Sequence, residues 1–478
     1  MEYLNISVHI ILIMSLGWYL ITNLQWYNYK LDRVIFKHHK WQWHITYFVS
    51  PIVLFYIIPE IYFPAYFVIY FISFILWNKK LSNPLVLTAR VKRFLAILLI
   101  VTFSIVGTCI ALEESCISKF IFVPLILTYI ISAILEKIFF IRFRNRAKQR
   151  YKSISGLRTV AITASFGKTS IKNFLYHILK HRYKVYKTPR SVNTLAGIVL
   201  DVNRALPNDT QIYIAEAGAR QTGDIEDITM FLEPQICVIG SVGEQHIEYF
   251  KTLDNIIKTK MEILKSPRMQ IGFVHDSVPI NEYPKITKFP NNLKIISSTL
   301  DGIKFSVIIE GRTEDFFAPI LGSFNAINLT AVILVAYSLG MSILEIKAAL
   351  TTIPQVEHRL QKIEAGGKII LDDSFNGNLE GMLEAINIAS THTGRRVIIT
   401  PGLVESTVQA NILLAKEINK VFDFVIITGN LNLNTLKSNI DKEKVFILKD
   451  KSQMQDILAK TTYSGDLILF ANDAPNFI

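Results

Sequence analysis

From Leu4 to Leu24 the chain contains no Asp, Glu, Lys or Arg. About 20 apolar residues at 1.5 Å each match the hydrocarbon thickness of a bilayer, where only a helix satisfies its own backbone groups. No small-residue cleavage site follows, so the stretch reads as a retained anchor. Four more apolar segments run from about Trp43 to Ile58, Ile61 to Trp77, Phe94 to Leu112 and Phe120 to Ile141. Residues 1–145 are therefore expected to form an α-helical membrane domain of about five spans. The second and third, parted only by Pro59-Glu60, also read as a re-entrant hairpin.

Charge sets the orientation. Lys30, Arg33, Lys37 and Lys40 lie between the first two segments, and Lys79, Lys80, Arg90, Lys92 and Arg93 between the third and fourth. Arg142, Arg144, Arg146, Lys148, Arg150 and Lys152 follow the fifth. Glu60 and Glu113-Glu114 occupy the opposite turns, so basic loops on the cytoplasmic side place the N-terminus outside and everything after the fifth span in the cytoplasm. Many of the basic residues behind the net charge of +12 are these flanking ones, which argues against a nucleic-acid partner. Ionisable residues inside the spans are few (His9, His44, Glu136 and Lys137), giving transport little support. Cys109, Cys116 and Cys237 have no metal-ligand spacing, and no structural disulfide is expected.

Beyond residue 157 the pattern changes to strands alternating with helices, the rhythm of a doubly wound α/β domain with its chemistry at the strand carboxyl ends. Val160-Ala161-Ile162 leads into Thr163-Ala164-Ser165-Phe166-Gly167-Lys168-Thr169-Ser170, and a helical pattern follows. Strand, glycine loop and helix start together suit a polyphosphate: backbone N–H groups and the helix dipole hold the anion. Lys168 adds a point charge and Thr169 offers a hydroxyl to Mg²⁺. Ile162 stands where the strict phosphate-loop pattern has its first glycine. Glu216 ends another strand, where a carboxylate can hold Mg²⁺, although a solvated loop glutamate is an equal reading. His246 follows a third strand end. Lys260, on a helical stretch, would by lysine's exposure statistics be a surface residue.

A second, smaller α/β rhythm begins near Lys368. Its first strand ends in Leu371-Asp372-Asp373-Ser374-Phe375-Asn376-Gly377-Asn378, whose acids and amides suit a ribose or polar substrate, or simply a capped turn.

Taken in order, these segments resemble the Mur ligases over roughly residues 157–478. Further matches are Thr188 to Thr194, Glu216-Ala217-Gly218-Ala219, Gly243 to His246, Lys260-Met261-Glu262, Gly322 to Asn325 and Arg359-Leu360. The resemblance implies a central ATP-binding domain (146–350) of phosphate-loop type and a smaller Rossmann-like C-terminal domain (351–478). It implies ATP and two Mg²⁺ ions, with Ser165, Gly167, Lys168, Thr169 and Ser170 around the phosphates and Thr169 and Glu216 on one ion. Glu216, His246 and a carbamylated Lys260 would hold the second. Asn325 and Asn328 fall where the family contacts adenine, Arg359 and Asp373 where it contacts ribose or phosphate, and Asn193, Thr194, Asn376 and Asn378 where it contacts substrate. The Asp-Asp-Ser-Phe-Asn-Gly-Asn form points to the branch that adds D-alanyl-D-alanine to a UDP-muramyl tripeptide. Phe166, Ala164, Phe324, Phe375 and Leu379 depart from the family's usual Asn, Gly, His, Tyr and Pro. The membrane segments stand where relatives carry the domain for the uridine end. That leaves as alternatives a ligase with another acceptor or product (a lipid-linked muramyl peptide, a different amino acid or a polyglutamate-type product) and a non-catalytic nucleotide-binding membrane scaffold recruiting other wall-synthesis proteins.

Overall fold

In a computed structural model the described residues are 2–36, 38, 40–81, 83–112, 121–190, 192–243, 247–280, 285–291, 293–374, 378–404 and 406–472. The chain divides into two compact units, Met1–Asn145 and Arg146–Ile478.

The first unit is helical: α1 (Glu2–Trp26), α2 (Leu31–Phe36), α3 (Trp41–His44), a π-helical turn (Ile45–Val49), α4 (Ser50–Ile57), α5 (Phe63–Lys79), α6 (Ala89–Ala111) and α7 (Phe122–Ser153), whose last residues belong to the second unit. Among the described residues three helices are long and apolar enough to cross a membrane, within α1, α6 and α7. The expected second and third spans are shorter: α3, the π turn and α4 run on from Trp41 to Ile57, and α5 is a 17-residue helix. Polar contacts bring the basic segments to one end. Gln25 exchanges hydrogen bonds of 2.9 Å with the backbone N–H and C=O of Val86, Trp18 Nε1 donates to Asn78 Oδ1 at 3.2 Å, and Arg93 meets Glu136 at 2.6 Å. Cys109, near the far end of α6, is disulfide-bonded, against the expectation of no disulfide, and Cys237 is free. Metal-ligand spacing carries no information about cysteine pairing.

The end of α7 is built into the second unit. Ala147 and Tyr151 are buried, and the Tyr151 hydroxyl donates to Leu232 O at 2.9 Å. Lys148 pairs with Glu233 at 2.7 Å, and Arg150 bonds the carbonyls of Asn203 and Leu206. These contacts tie Arg146–Ser153 to the α/β unit that follows.

That unit starts with β1 (Arg158–Thr163), α8 (Lys168–Leu179), β2 (Val185–Lys187), α9 (Leu195–Arg204), β3 (Ile212–Glu216), α10 (Asp224–Leu232), β4 (Ile236–Ile239), α11 (Ile247–Phe250), α12 (Leu253–Met261), β5 (Ile271–His275) and β6 (Ile286–Phe289). The strands form an all-parallel sheet in the order β2-β3-β1-β4-β5-β6. Chain order reverses at β1, which opens a crevice at its carboxyl end between the loops after β3 and β4. An antiparallel meander follows, of β7 (Leu293–Thr299), β8 (Gly302–Ile309) and β9 (Arg312–Ala318). Then come α13 (Ser323–Ser338) and α14 (Ile343–Leu350). Phe174 and Ile178 of α8 and Leu329 and Val332 of α13 share one buried core with Val160, Ile162 and Ile214 of the sheet and Phe305 and Val307 of the meander. This burial, at about 25 cal/mol per Å² of apolar surface, holds the crevice walls in place.

The second sheet contains β10 (Gln361–Ala365), β11 (Lys368–Asp373), α15 (Leu379–Ser390), β12 (Arg396–Thr400), α16 (Val408–Val421), β13 (Phe424–Thr428), α17 (Leu433–Asn439), β14 (Val445–Leu448), α18 (Met454–Thr461) and β15 (Leu467–Ala471). Its order is β10-β11-β15-β12-β13-β14, with only β10 antiparallel. Leu371, Ile398, Val425 and Leu469 face α15 and α16 on one side, while Val397, Ile399, Ile426 and Ile468 pack with Met454 and Leu458 of α18 on the other.

One carboxylate fastens this sheet's layer to α13. Gly322 leaves the N-terminus of α13 without a cap of its own, and Glu384 of α15 supplies one, accepting from Ser323 N at 2.8 Å and Ser298 Oγ at 3.2 Å. Loss of a cap costs about 1 kcal/mol. Glu384→Ala should accordingly lower the melting temperature by about 2 °C, read by thermal unfolding; an unchanged value would show that the cap carries no stability.

Candidate nucleotide and metal site

The crevice at β1 is built from three strand ends. The loop after β1 is pinned to the loop after β4: Ser165 N and Phe166 N both donate to Ser241 O (2.8 and 3.2 Å), and Ser165 Oγ donates to Gly243 O at 2.9 Å. Gly167 starts α8 at φ 83°, a left-handed conformation in which a Cβ would sit 2.4 Å from Asn328 Oδ1. Glycine is thus required twice, for backbone angle and for close approach. No side chain caps α8, so its first N–H groups remain directed at the crevice. Lys168 Nζ curls back to Ala164 O (2.7 Å) and Ser165 O (3.0 Å). Burial lowers its ammonium to about 8, with Glu216 opposing and the charge of Arg359 adding to the shift. Ser170 is buried one turn into the helix.

Glu216 is the last residue of β3, registered against Ile162 of β1. It is 2 % exposed, not a solvated loop residue. Its Oε2 accepts from Thr169 Oγ1 at 3.2 Å and from Lys172 Nζ at 3.0 Å, and its Oε1 accepts from Asn193 Nδ2 at 3.5 Å. Lys172, 1 % exposed, also donates to Arg190 O, so one buried ammonium ties α8 to Glu216 and to the 188–194 loop. The sequence reading missed Lys172. Its position one helical turn after Lys168 was the available signal, since i and i+4 share a helix face.

Lys260, on α12, is 4 % exposed, against the surface position that statistics favour. Burial lowers its pKa to about 7, the Lys168 charge adding to the shift and Glu216 and Glu262 opposing. Glu262 itself accepts from Gly223 N (2.7 Å) and Glu226 N (3.1 Å) at the start of α10. Asn328 lies against Gly167, and its Nδ2 donates to Asn325 Oδ1 at 3.4 Å; Asn325 Nδ2 donates to Leu321 O. From the junction of the two sheets, the Arg359 guanidinium, lowered by burial, is held charged by Asp373 and Glu216. Burial raises Asp373 to about 7, opposed by Arg359 and by the Leu360 N–H. Lys168, Thr169, Glu216, Asn193, Lys260, Asn328, Arg359 and Asp373 thus converge. Thr194 and Asn378 instead spend their side-chain oxygens as caps of α9 and α15. His246 and Asn376 lie outside the described residues.

This donor set fits a magnesium nucleotide. Among the described residues no group of three or more His, Cys, Asp or Glu could cage a metal. Thr169 and Glu216 supply two adjacent oxygens, and Mg²⁺ in such sites draws its other ligands from phosphate and water. The uncapped α8 start and Lys168 supply the anion-binding half.

A doubly wound sheet with a phosphate loop at its switch point, joined to a second Rossmann-like sheet, defines the class as a nucleotide-using α/β enzyme. Residues 162–336 match the Mur ligase middle domain. The UDP-N-acetylmuramoyl-tripeptide–D-alanyl-D-alanine ligase of Bacillus subtilis is 26% identical over 66% of this chain and 73% of its own. That of Borreliella burgdorferi is 30% identical over 49% of this chain, which spans 53%, about half, of that relative. Among solved structures, MurF from Thermotoga maritima in complex with ADP superposes with a TM-score of 0.60 at 22% identity, covering 70% of this chain and 80% of its own. MurF from Acinetobacter baumannii gives 0.61 at 19%, covering 70% and 77%. Residues 162–336 thus form a Mur ligase middle domain, and the chain is similar in sequence and fold to the Mur ligases, ATP-dependent enzymes that form amide bonds.

Proposed function

We propose that this chain joins D-alanyl-D-alanine to a UDP-muramyl tripeptide at the expense of ATP, through an acyl phosphate. The observation that carries the reading is the Lys168–Thr169–Glu216–Lys172 cluster at the switch point, in a chain whose relatives bear that activity in their names. Lys168 and the α8 N–H groups position the phosphates and offset charge that builds as the peptide carboxylate attacks the γ-phosphorus. Thr169 and Glu216 would hold a Mg²⁺ ion, which would supply positive charge to the phosphate oxygens. Asn193, hydrogen-bonded to Glu216, faces the peptide acceptor; Arg359 and Asp373 close on the nucleotide from the second sheet, excluding water that would hydrolyse the acyl phosphate. A carbamylated Lys260, with Glu216 and His246, would hold a second ion, and Asn376 and Asn378 would contact the incoming dipeptide. The test is ADP release with each acceptor separately and with both.

The first unit is read as a membrane anchor, with the catalytic unit in the cytoplasm. The gathering of basic segments at one end supports this, as does the Cys109 disulfide near the other, since such bonds persist in oxidising compartments. The orientation holds whether α3–α5 crosses twice or forms a hairpin, because either route returns to the side it left. A reporter inserted between Leu112 and Ile121 should be external and one after Asn145 cytoplasmic; a cytoplasmic signal from the first would overturn the topology. The helices contain few polar groups with which to recognise a sugar or phosphate, which favours simple anchoring over the alternative of a lipid-linked muramyl acceptor. A chain shortened to start at Asn145, which keeps Lys148 and Tyr151, tests it: an acceptor KM raised by orders of magnitude with the ATP KM unchanged would support the lipid reading, and unchanged values would support simple anchoring.

A further inference from the structure

We propose that His358 is a positioning residue that, through Asp372, aims Arg359 at the phosphate loop; the inference rests on reading that loop as the nucleotide site. The segment joining α14 to β10 passes through two left-handed residues, His358 at φ 60° and Leu360 at φ 51°, one on each side of Arg359. Neither is glycine, which alone adopts this conformation without penalty, and strained backbone persists where neighbouring groups hold it. Here each flank has its own carboxylate. His358 Nδ1 lies 2.7 Å from Asp372 Oδ2, and with a carboxylate as acceptor that nitrogen carries the proton. Leu360 N donates to Asp373 Oδ1 at 3.1 Å.

Asp372 is fully buried and fixed in turn, its Oδ1 accepting from Ser374 N at 3.1 Å and from Ser374 Oγ. Leu360 is 1 % exposed in the core of the second sheet. The consecutive acids at the end of β11 therefore clamp the backbone on both sides of Arg359. The residue between them is the one whose charge reaches Asp373, Glu216 and Lys168. A glycine at 358 would satisfy the backbone angle unaided, so the imidazole is needed only for its bond to Asp372. Asp372 is thereby given a role that the resemblance leaves blank.

The experiment uses the full-length protein in detergent and measures the affinity of AMP-PNP with Mg²⁺ by calorimetry, alongside thermal unfolding. His358→Gly fits the left-handed angle and removes the bond; it should weaken AMP-PNP about tenfold, the loss expected of a charged hydrogen-bond partner no longer held in place. His358→Asn tolerates the same angle and carries Nδ2 where the imidazole carries Nδ1, so it should restore affinity to within about threefold of wild type. With Arg359→Ala as background, His358→Gly should add nothing, because both act through one guanidinium. Wild-type affinity in His358→Gly, including the case where only its melting temperature falls, would overturn the proposal, as would additivity with Arg359→Ala or failure of His358→Asn to restore binding. Absence of AMP-PNP binding by the wild-type protein would instead overturn the nucleotide-site reading on which the proposal stands.

Discussion

Lys168→Ala is expected to lower kcat by about 10³-fold while the protein stays folded. The ammonium is the cation nearest the loop that receives the phosphates, tethered by the carbonyls of Ala164 and Ser165 in a buried setting where a fixed charge acts with little solvent screening. Removing one preorganised group from developing negative charge costs about 10²–10³ in rate. A lysine that spans the nucleotide also loses more in the transition state than in nucleotide binding, so kcat should fall further than the ATP affinity. Steady-state ADP release and AMP-PNP calorimetry on the same preparation separate the two. A kcat within tenfold of wild type would remove Lys168 from the reaction.

Lys260→Ala is expected to lose at least about 100-fold in kcat and to recover in part with added acetate. Ordinary lysine ammonium is inert to CO₂, because only the neutral amine has a lone pair to attack carbon. Lys260 sits in the interior with its pKa lowered to about 7, so near neutral pH roughly half of the amines are free to react. Loss of one proton frees the amine, and its attack on CO₂ with loss of a second converts the group from a cation, disfavoured beside Lys168, into a carbamate whose oxygens can take a metal. The amine is increasingly neutral as pH rises through about 7, so carbamate formation should strengthen in that direction. A small carboxylate replacing the missing group rescues only if the natural group is an oxygen ligand. Unaided activity of the variant, or no effect of acetate alongside no ¹³C-carbamate signal in wild type, would leave Lys260 a packing residue.

Much of this was readable from the chain because local chemistry agreed with fold. The phosphate loop announces itself through an apolar run, a glycine and a helix pattern, and the structure puts Gly167 at φ 83° for the same reason. Glu216 was legible as a strand end, yet its burial was not, because that depends on β3 lying against β1 rather than on any neighbour in sequence. Lys172 had only its i+4 spacing from Lys168 to mark it, because a lysine on an amphipathic helix reads as solvated until the fold brings a carboxylate and a carbonyl to it. The β10–β11 hairpin had a signal that was passed over, the Gly366-Gly367 pair. Both residues take positive φ (59° and 72°), as a two-residue turn of the primed type requires. In the membrane unit, hydropathy located the apolar segments, but not the π turn before α4 or the ring contacts of Tyr19, Tyr47 and Trp77, which depend on packing between helices.

The central claim is an ATP-driven amide ligation that needs two acceptors in sequence, and one assay addresses it directly. Full-length protein in detergent is given Mg²⁺ and ATP, with UDP-N-acetylmuramoyl-tripeptide and D-alanyl-D-alanine added singly and together, and ADP release is followed. The account predicts little release with either alone and sustained release with both, matched mole for mole by the elongated peptide. A protein that is folded and binds AMP-PNP but gives no stimulation by the pair would contradict it.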